Sequence, residues 1–213
     1  MAAVVVMFPS PAFADAQVRP GEIKVIEGRD SDGHRHVLIL AGLRPHPWTV
    51  VARSREKTNG QPYSAWKAAT HAAVKAACLA AGIRPVMFSR SNLGLAVSFG
   101  ATLSKHGGEK RRTSVKSFDL RNLEKSWEDV LKGILYVDDD QVRYSGPGAA
   151  IDTTTDFICA HVWEGGPWQA AWEDYTIPEA ETAQVVTKES HPDVWAKLQP
   201  PKSVPETPRK PGG

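Results

Sequence analysis

Cysteine is scarce in this sequence. Cys78 lies in an alanine-rich stretch and Cys159 in an apolar run, and neither has a partner at metal-ligand spacing. Two cysteines exclude a small fold held together by disulfides. We expect both to be reduced thiols in the core of a cytoplasmic protein.

Long apolar runs and a strong net charge are also absent. No apolar stretch approaches the roughly 20 residues that span a bilayer, so we expect no membrane partner. The formal net charge is only +2, so affinity for a polyanion would require uneven placement of charge. The N-terminus faintly resembles a signal peptide, but Pro9 interrupts its apolar run and no basic residue precedes Arg19. A disordered extension is the better interpretation.

Proline, glycine and mixed charge dominate both ends of the chain, whereas apolar periodicity is sustained between them. With 41% hydrophobic residues, the chain can bury one full core. We predict a disordered or weakly ordered N-terminal extension over residues 1–34 and one folded domain over residues 35–163. A C-terminal extension would follow over residues 164–198, and a disordered tail over residues 199–213.

The apolar pattern of the central region changes between strand and helix periods. Strands are predicted at residues 37–40, 93–103, 134–137 and 153–163, with the second burying one face. A helix is predicted at residues 64–81, with Ser64 as its N-cap and Gly82 directly after its end. A second helix is predicted at residues 120–131 and ends before Gly133. The predicted fold class is α+β: a small two-layer domain in which two main helices pack on a mixed sheet, with flexible tails.

Acidic residues stand at two points of this pattern. Asp119 begins the second helix, and a short apolar segment after that helix leads into Asp138, Asp139 and Asp140. Phosphodiester cleavage uses a hard cation that polarises phosphoryl oxygens and activates water, and Mg²⁺ prefers a few carboxylate oxygens plus its own waters. An aspartate N-cap and a solvated turn are the ordinary alternatives. The pattern alone leaves both interpretations open.

Residues 119–142 carry a dense motif. They read Asp-Leu-Arg-Asn-Leu-Glu-Lys at 119–125, Asp-Val-Leu at 129–131, Gly at 133 and Asp-Asp-Asp-Gln-Val at 138–142. This resembles the RusA family of Holliday-junction resolvases. That family's pattern is Asp-x-Asp-Asn-Leu-x-Lys, then Asp-x-Leu near the helix end, a glycine before a strand, and Asp-Asp-x-Gln-Val. A looser resemblance extends over roughly residues 37–162.

The resemblance implies paired incisions at four-way DNA junctions by a homodimer, in recombination and repair. The implied cofactor is Mg²⁺, with Mn²⁺ as an alternative. Carried over, Asp119 and Asp139 would be metal ligands, Asp138 a supporting carboxylate at the metal, and Lys125 a basic group near the scissile phosphate. From the helix pattern alone, Lys125 would instead be a solvated lysine paired with Asp129 at i+4.

One position departs from the family pattern. Arg121 stands where the second aspartate of the first motif is expected, so a permanent cation replaces a carboxylate. Either Asp119, Asp138 and Asp139 hold the metal while Arg121 contacts phosphate, or the protein binds DNA junctions without cutting them. The otherwise intact motif favours an active nuclease.

A strongly basic segment, residues 104–117, leads into Asp119, with Glu109 as its only acidic residue. Basic side chains beside an acidic site suit a phosphate-binding surface, and a flexible solubilising loop is the alternative. The candidate DNA contacts are Lys105, Lys110, Arg111, Arg112 and Lys116 in this segment, Arg121 on the helix, and Arg53, Arg55 and Lys57 in an earlier loop.

His34 and His36 alternate along a predicted strand. Two histidines at this spacing are compatible with metal binding, but no third ligand stands at a useful distance in the sequence. We therefore predict a surface pair.

Overall fold

The computed structural model describes residues 19–29, 32–46, 63–88, 92–102, 120–146, 148, 150–153, 155–167 and 184–186. Two helices lie in these ranges, α1 (Tyr63–Ala80) and α2 (Leu120–Leu131). Seven strands accompany them: β1 (Ile23–Arg29), β2 (Arg35–Ala41), β3 (Leu93–Thr102), β4 (Val142–Ser145), β5 (Ala150–Thr153), β6 (Phe157–Glu164) and β7 (Gln184–Val186). Asp119, the basic segment before it and the earlier loop with Arg53, Arg55 and Lys57 lie outside the described residues.

The described strands form one mixed sheet, in the order β4-β3-β6-β2-β1-β7. Its central pairs, β1 with β2, β2 with β6 and β6 with β3, are antiparallel. Both β4 and β5 pair in parallel with β3, β4 near its beginning and β5 near its end. The observed α+β architecture, a mixed sheet with two helices, confirms the predicted fold class.

The helices and one face of the sheet share the main core. Val37, Ile39 and Val97 of the sheet join Trp66 of α1 and Trp127 of α2 in this cluster. The apolar stripe predicted for α2 is buried, which confirms that helix with its bounds. The first helix is also confirmed, although it begins at Tyr63, so Ser64 lies inside it and is not its N-cap.

Both faces of β3 are buried, so the prediction of one buried face is wrong. Leu93, Leu95, Val97 and Phe99 belong to the main core, while Ala96 and Ser98 are buried on the opposite face. The residues on that face are small because large side chains of β6 pack against them. A Cβ at Gly94 would overlap the ring of Trp163, and one at Gly100 would overlap the ring of Phe157. Small residues here therefore indicate close packing and not exposure.

The predicted strand at residues 134–137 is instead a buried turn. Gly133, at φ 78°, donates its backbone N–H to the Tyr136 carbonyl at 2.7 Å, and Ile134, Leu135 and Tyr136 are buried. A four-residue apolar run has no period that separates a strand from a buried turn. The strand predicted at residues 153–163 is likewise divided, because β5 ends at Thr153 and β6 begins at Phe157.

The sheet extends beyond the predicted domain. β1 lies within residues 1–34, where a weakly ordered extension was predicted, and pairs with β2 along its whole length, from Ile23 with Ala41 to Arg29 with Arg35. Its alternate residues Ile23 and Val25 are buried in the main core. That part of the prediction is wrong, because a short strand gains its stability from its partner. The division of the chain into domains otherwise stays a prediction.

His36 and His161 form a buried pair on the sheet face opposite the helices. His36 Nδ1 lies 3.0 Å from His161 Nε2, and the two rings stack with their centroids 5.1 Å apart. The predicted surface pair is therefore wrong for His36, since β2 is a central strand, whereas His34 is exposed.

Within the described ranges, no helix is long and apolar enough to cross a bilayer.

Candidate active site

The segment after α2 presents the aspartates at the surface. Gly133 reverses the chain, the buried run 134–136 returns under the helix, and the Tyr136 hydroxyl donates to the Glu128 carbonyl at 3.0 Å. Asp138 is then extended, and a 3₁₀ turn (Asp139–Gln141) follows it directly. Asp138 and Asp140 are exposed, and Asp139 is half-buried. The apolar run therefore anchors a turn whose carboxylates face solvent, and we call residues 138–141 the acidic turn.

Lys125 joins this turn to α2. Its Nζ atom lies 2.5 Å from Asp139 Oδ2 and 3.0 Å from Glu128 Oε2. The alternative pairing of Lys125 with Asp129 is not what the structure shows. The Asp129 carboxylate instead accepts a hydrogen bond from the Tyr63 hydroxyl at 2.9 Å and pairs with Lys67 at 3.3 Å. Asp129 thus connects the two helices, and Lys125 is directed to the acidic turn.

A second lysine, Lys132, contacts the same carboxylates. Its Nζ atom lies 2.7 Å from Asp138 Oδ1 and 3.3 Å from Asp139 Oδ1. Sequence analysis missed this residue, although a lysine directly after a helix and six residues before an aspartate offered a signal. Asp139 is therefore contacted by two ammonium groups, one from within α2 and one from just beyond its end.

The surroundings favour the charged forms of these groups. The pKa of the Asp139 carboxyl lies well below its usual range, because of a side-chain hydrogen bond with Asp138 and because of the ammonium groups of Lys125 and Lys132. Partial burial acts to lower the pKa of Lys125, but its hydrogen bonds to Asp139 and Glu128 outweigh this effect and raise it. The hydrogen bond to Asp138 raises the pKa of Lys132. At neutral pH, Asp139 is an anion between two cations.

Arg121 and Asn122 occupy the first turn of α2. Arg121 is exposed, and Asn122 is half-buried. Arg121 precedes Lys125 by four residues, which places the two on one face of the helix. Asp119 is next in sequence to Leu120, the first residue of α2, but lies outside the described residues. The structure therefore brings together Lys125, Asp138 and Asp139 from the predicted site, with Arg121 one helical turn away.

The chemistry of the acidic turn suits a hard divalent cation. Asp138 and Asp139 supply carboxylate oxygens, the ligands that Mg²⁺ prefers, and both already attract ammonium groups within 3.3 Å. In the part of the chain that the structure describes, no three His, Cys, Asp or Glu side chains form a group suited to a metal ion. These two aspartates could therefore hold part of the coordination shell of a metal ion, and the third predicted ligand, Asp119, lies outside the described residues.

Comparison with known families identifies the segment that carries this turn. Residues 47–146 match the family model described as endodeoxyribonuclease RusA. Over these residues the chain is similar to the RusA family. The RusA match contains α1, β3, α2, the acidic turn and β4, and RusA proteins are endodeoxyribonucleases, which hydrolyse phosphodiester bonds within DNA. Strands β1 and β2 precede the matched segment, and β5 to β7 follow it. No curated protein in the comparison matches the chain.

Proposed function

We propose that this protein is a Mg²⁺-dependent endonuclease that resolves four-way DNA junctions in recombination and repair, with Mn²⁺ as an alternative cofactor. The observation that carries the proposal is the contact between Lys125 and Asp139, beside Asp138, within the segment that matches RusA. A half-buried lysine held against a surface carboxylate cluster is a suitable arrangement for phosphoryl chemistry.

In this proposal the carboxylates have one task and the lysine another. Asp119, Asp138 and Asp139 hold Mg²⁺, which when bound polarises a phosphoryl oxygen and activates water. Lys125 holds the Asp139 carboxylate in place, because its ammonium group lies 2.5 Å from that carboxylate. Its positive charge also stabilises the negative charge that develops on the phosphate during cleavage.

The remaining parts of the proposal concern the substrate and the assembly. The basic segment that holds Lys105, Lys110, Arg111, Arg112 and Lys116 contacts the DNA backbone near the acidic site, because lysines and arginines neutralise phosphates. The earlier loop with Arg53, Arg55 and Lys57 is a second contact.

A homodimer supplies two active sites, as paired incisions of a two-fold junction require. We place this protein in the cytoplasm.

The second candidate function is junction binding without cleavage. Its supporting observation is Arg121, which is exposed on the first turn of α2 at the position of a family carboxylate. A fixed cation beside a metal site opposes cation binding. The same guanidinium can instead grip a phosphate, since arginine offers several donors in a planar fork. The two functions therefore differ in what Arg121 contacts.

Cleavage of a labelled four-way junction, with and without Mg²⁺, separates the two functions. Linear duplex of the same sequence is the control substrate. We expect symmetrical nicked duplexes from the junction only when Mg²⁺ is present. The Asp139→Asn variant keeps the bulk of the side chain but loses a charged ligand, so cleavage should fall at least about 100-fold while junction binding stays nearly intact.

Asp156→Asn is the matched control for this variant. Asp156 precedes β6 and lies near Arg44, at 3.9 Å, away from the acidic turn. The control should therefore cut like wild type. Unchanged cleavage by Asp139→Asn would contradict the assignment of Asp139 to the active site. Junction binding by wild type without any cleavage in Mg²⁺ or Mn²⁺ would favour the binding-only function.

A further inference from the structure

The side chain of Gln141 links the acidic turn to the connection between α1 and β3. Its Oε1 atom accepts the backbone N–H groups of Val137 at 2.8 Å and Asp138 at 3.1 Å. Its Nε2 atom donates to the Phe88 carbonyl at 2.6 Å. One amide group therefore holds the backbone on the N-terminal side of the aspartates and ties it to a distant part of the chain.

The partner of this amide is itself well anchored. Phe88 is fully buried, and its backbone N–H donates to the Leu135 carbonyl at 3.0 Å. Two residues earlier, the Val86 N–H donates to the Ile134 carbonyl at 2.7 Å. The connection thus lies along the buried run before Asp138 and bonds to it at two backbone positions. Gln141 adds the contact closest to the carboxylates.

Glutamine is the residue type that this arrangement requires. Its side chain offers an acceptor and a donor at one end, so it can bind two N–H groups and a carbonyl together. A glutamate of the same length has the acceptors but places a carboxylate oxygen against the Phe88 carbonyl. An aliphatic side chain would leave the N–H groups of Val137 and Asp138 without this acceptor.

The backbone held in this way carries both carboxylates. Asp138 is extended, with φ −140° and ψ 149°, and Asp139 begins the 3₁₀ turn that returns to Gln141. The Gln141 N–H donates to the Asp138 carbonyl at 3.1 Å, so the turn is closed by backbone and side chain together. Metal ligands bind more tightly when neighbouring groups hold them in place beforehand.

We propose that Gln141 is a positioning residue, which holds the Asp138–Asp139 backbone so that both carboxylates can bind one divalent cation. This role rests on the proposed nuclease function, because it assumes that the acidic turn is the metal site. The Gln141 side chain acts through the backbone N–H groups of Val137 and Asp138. Its loss should therefore weaken metal binding and cleavage while leaving DNA binding unchanged.

The test compares Gln141→Leu and Gln141→Asn with wild type in the 213-residue chain. Titration calorimetry with Mn²⁺ alone, without DNA, measures the dissociation constant for the metal. We expect both variants to raise it about 10- to 100-fold, the range seen when groups that orient metal ligands are removed. At a fixed, subsaturating metal concentration, kcat for the junction should fall, while KM for the junction should stay within about twofold of wild type.

Thr153→Val is the matched control. The Thr153 hydroxyl donates to the Thr155 carbonyl at 2.8 Å, which is a side-chain anchor of a turn away from the acidic site. This variant should lose a little stability but keep wild-type metal affinity. Thermal unfolding of all variants, measured below and above saturating Mn²⁺, separates lost stability from lost affinity. Should Gln141→Leu not fold, the metal affinity of Gln141→Asn, which keeps a neutral amide on a side chain one methylene shorter, decides the outcome.

The outcomes distinguish this role from the proposed function. Gln141 variants with wild-type Mn²⁺ affinity but lower unfolding temperatures would show a merely structural residue and overturn the inference. In that case Asp139→Asn would still abolish metal binding, and the proposed function would stand. Metal binding that is insensitive to Asp139→Asn would overturn the site itself and, with it, the role of Gln141.

Discussion

Lys125 and Asp139 are 14 residues apart in the sequence, and their charged groups lie 2.5 Å apart in the fold. The lysine belongs to α2 and the aspartate to the turn after it, so the buried run between them determines whether they meet. Lys132 contacts the other carboxylate oxygen of the same aspartate at 3.3 Å. The acidic turn therefore holds two protein cations where we propose a divalent metal.

We predict that Lys132→Gln lowers the Mg²⁺ concentration needed for half-maximal cleavage, because metal binding no longer competes with this ammonium group. The effect should be modest, up to about fivefold, since the pair is solvent-exposed. A Mg²⁺ titration of junction cleavage measures it. Lys67→Gln, in which a similarly exposed lysine loses its pairing with Asp129, should not change the titration. A higher Mg²⁺ requirement in Lys132→Gln would show that Lys132 supports the site instead.

Replacing Lys110, Arg111 and Arg112 together with alanine should weaken DNA binding and flatten its dependence on salt. Each lost phosphate contact reduces the number of counterions released, so the slope of log K against log salt should fall by about 1 per contact. The three residues lie outside the described residues, so this prediction rests on the sequence alone. Junction binding at several salt concentrations tests it. A slope equal to that of wild type would show that the segment does not contact DNA.

Arg121→Asp should increase cleavage and lower the Mg²⁺ requirement if the arginine costs the site a metal ligand. The reason is electrostatic, because an added carboxylate favours Mg²⁺ and a fixed positive charge opposes it. If Arg121 instead binds phosphate, the variant should cut more slowly at every Mg²⁺ concentration. Titration of the metal in both proteins distinguishes these outcomes. No cleavage by either protein in Mg²⁺ or Mn²⁺ would favour the binding-only function.

The buried histidine pair should make the fold sensitive to acid. Burial, and then the neighbouring His36, hold the pKa of His161 well below its ordinary value, so the folded protein keeps His161 neutral. The unfolded chain takes up this proton near pH 6.5, and the folded state therefore loses stability as the pH falls below that value. The loss is at most about 1.4 kcal/mol per pH unit for one group.

Urea unfolding at pH 7.5, 6.5 and 5.5 tests this sensitivity. In His161→Gln, the free energy of unfolding should fall less between pH 7.5 and pH 5.5 than in wild type, whatever the absolute stability of the variant. The control is His34→Gln, which changes an exposed histidine directly before β2. This variant should keep the wild-type pH dependence. An equal pH dependence in His161→Gln and wild type would exclude His161 as the source.

Gly94→Ala should destabilise the fold by about 2–3 kcal/mol, because its Cβ would overlap the buried ring of Trp163 and force the sheet to move. Gly166→Ala is the matched control, since nothing lies within 4 Å of a Cβ at that position. The control should change the free energy of unfolding by less than about 1 kcal/mol. Urea unfolding of both variants measures the difference. Equal stabilities would show that Trp163 can move without cost.

Local sequence patterns were sufficient to predict much of the secondary structure. The stripe of Leu123, Trp127, Val130 and Leu131 predicts α2 with the bounds that the structure shows, and Gly82 and Gly133 mark the ends of both helices. β1 was not predicted, because its seven residues are stable only when paired with β2. The buried run 134–136 was assigned to a strand, because a short apolar segment has the same appearance in a strand and in a buried turn.

For the site, the sequence by itself determined which side chains are available: the aspartates, Lys125, the cation at position 121 and the basic segment before Asp119. The tertiary structure decided which of them meet. It directed Lys125 to Asp139 and not to Asp129, brought Lys132 to the same turn, and placed the Gln141 amide against the Phe88 carbonyl. Motifs specify residue types and spacing along the chain. Contacts between α2, its following turn and the connection after α1 depend on how these segments share one buried core, and that packing cannot be read from local periodicity.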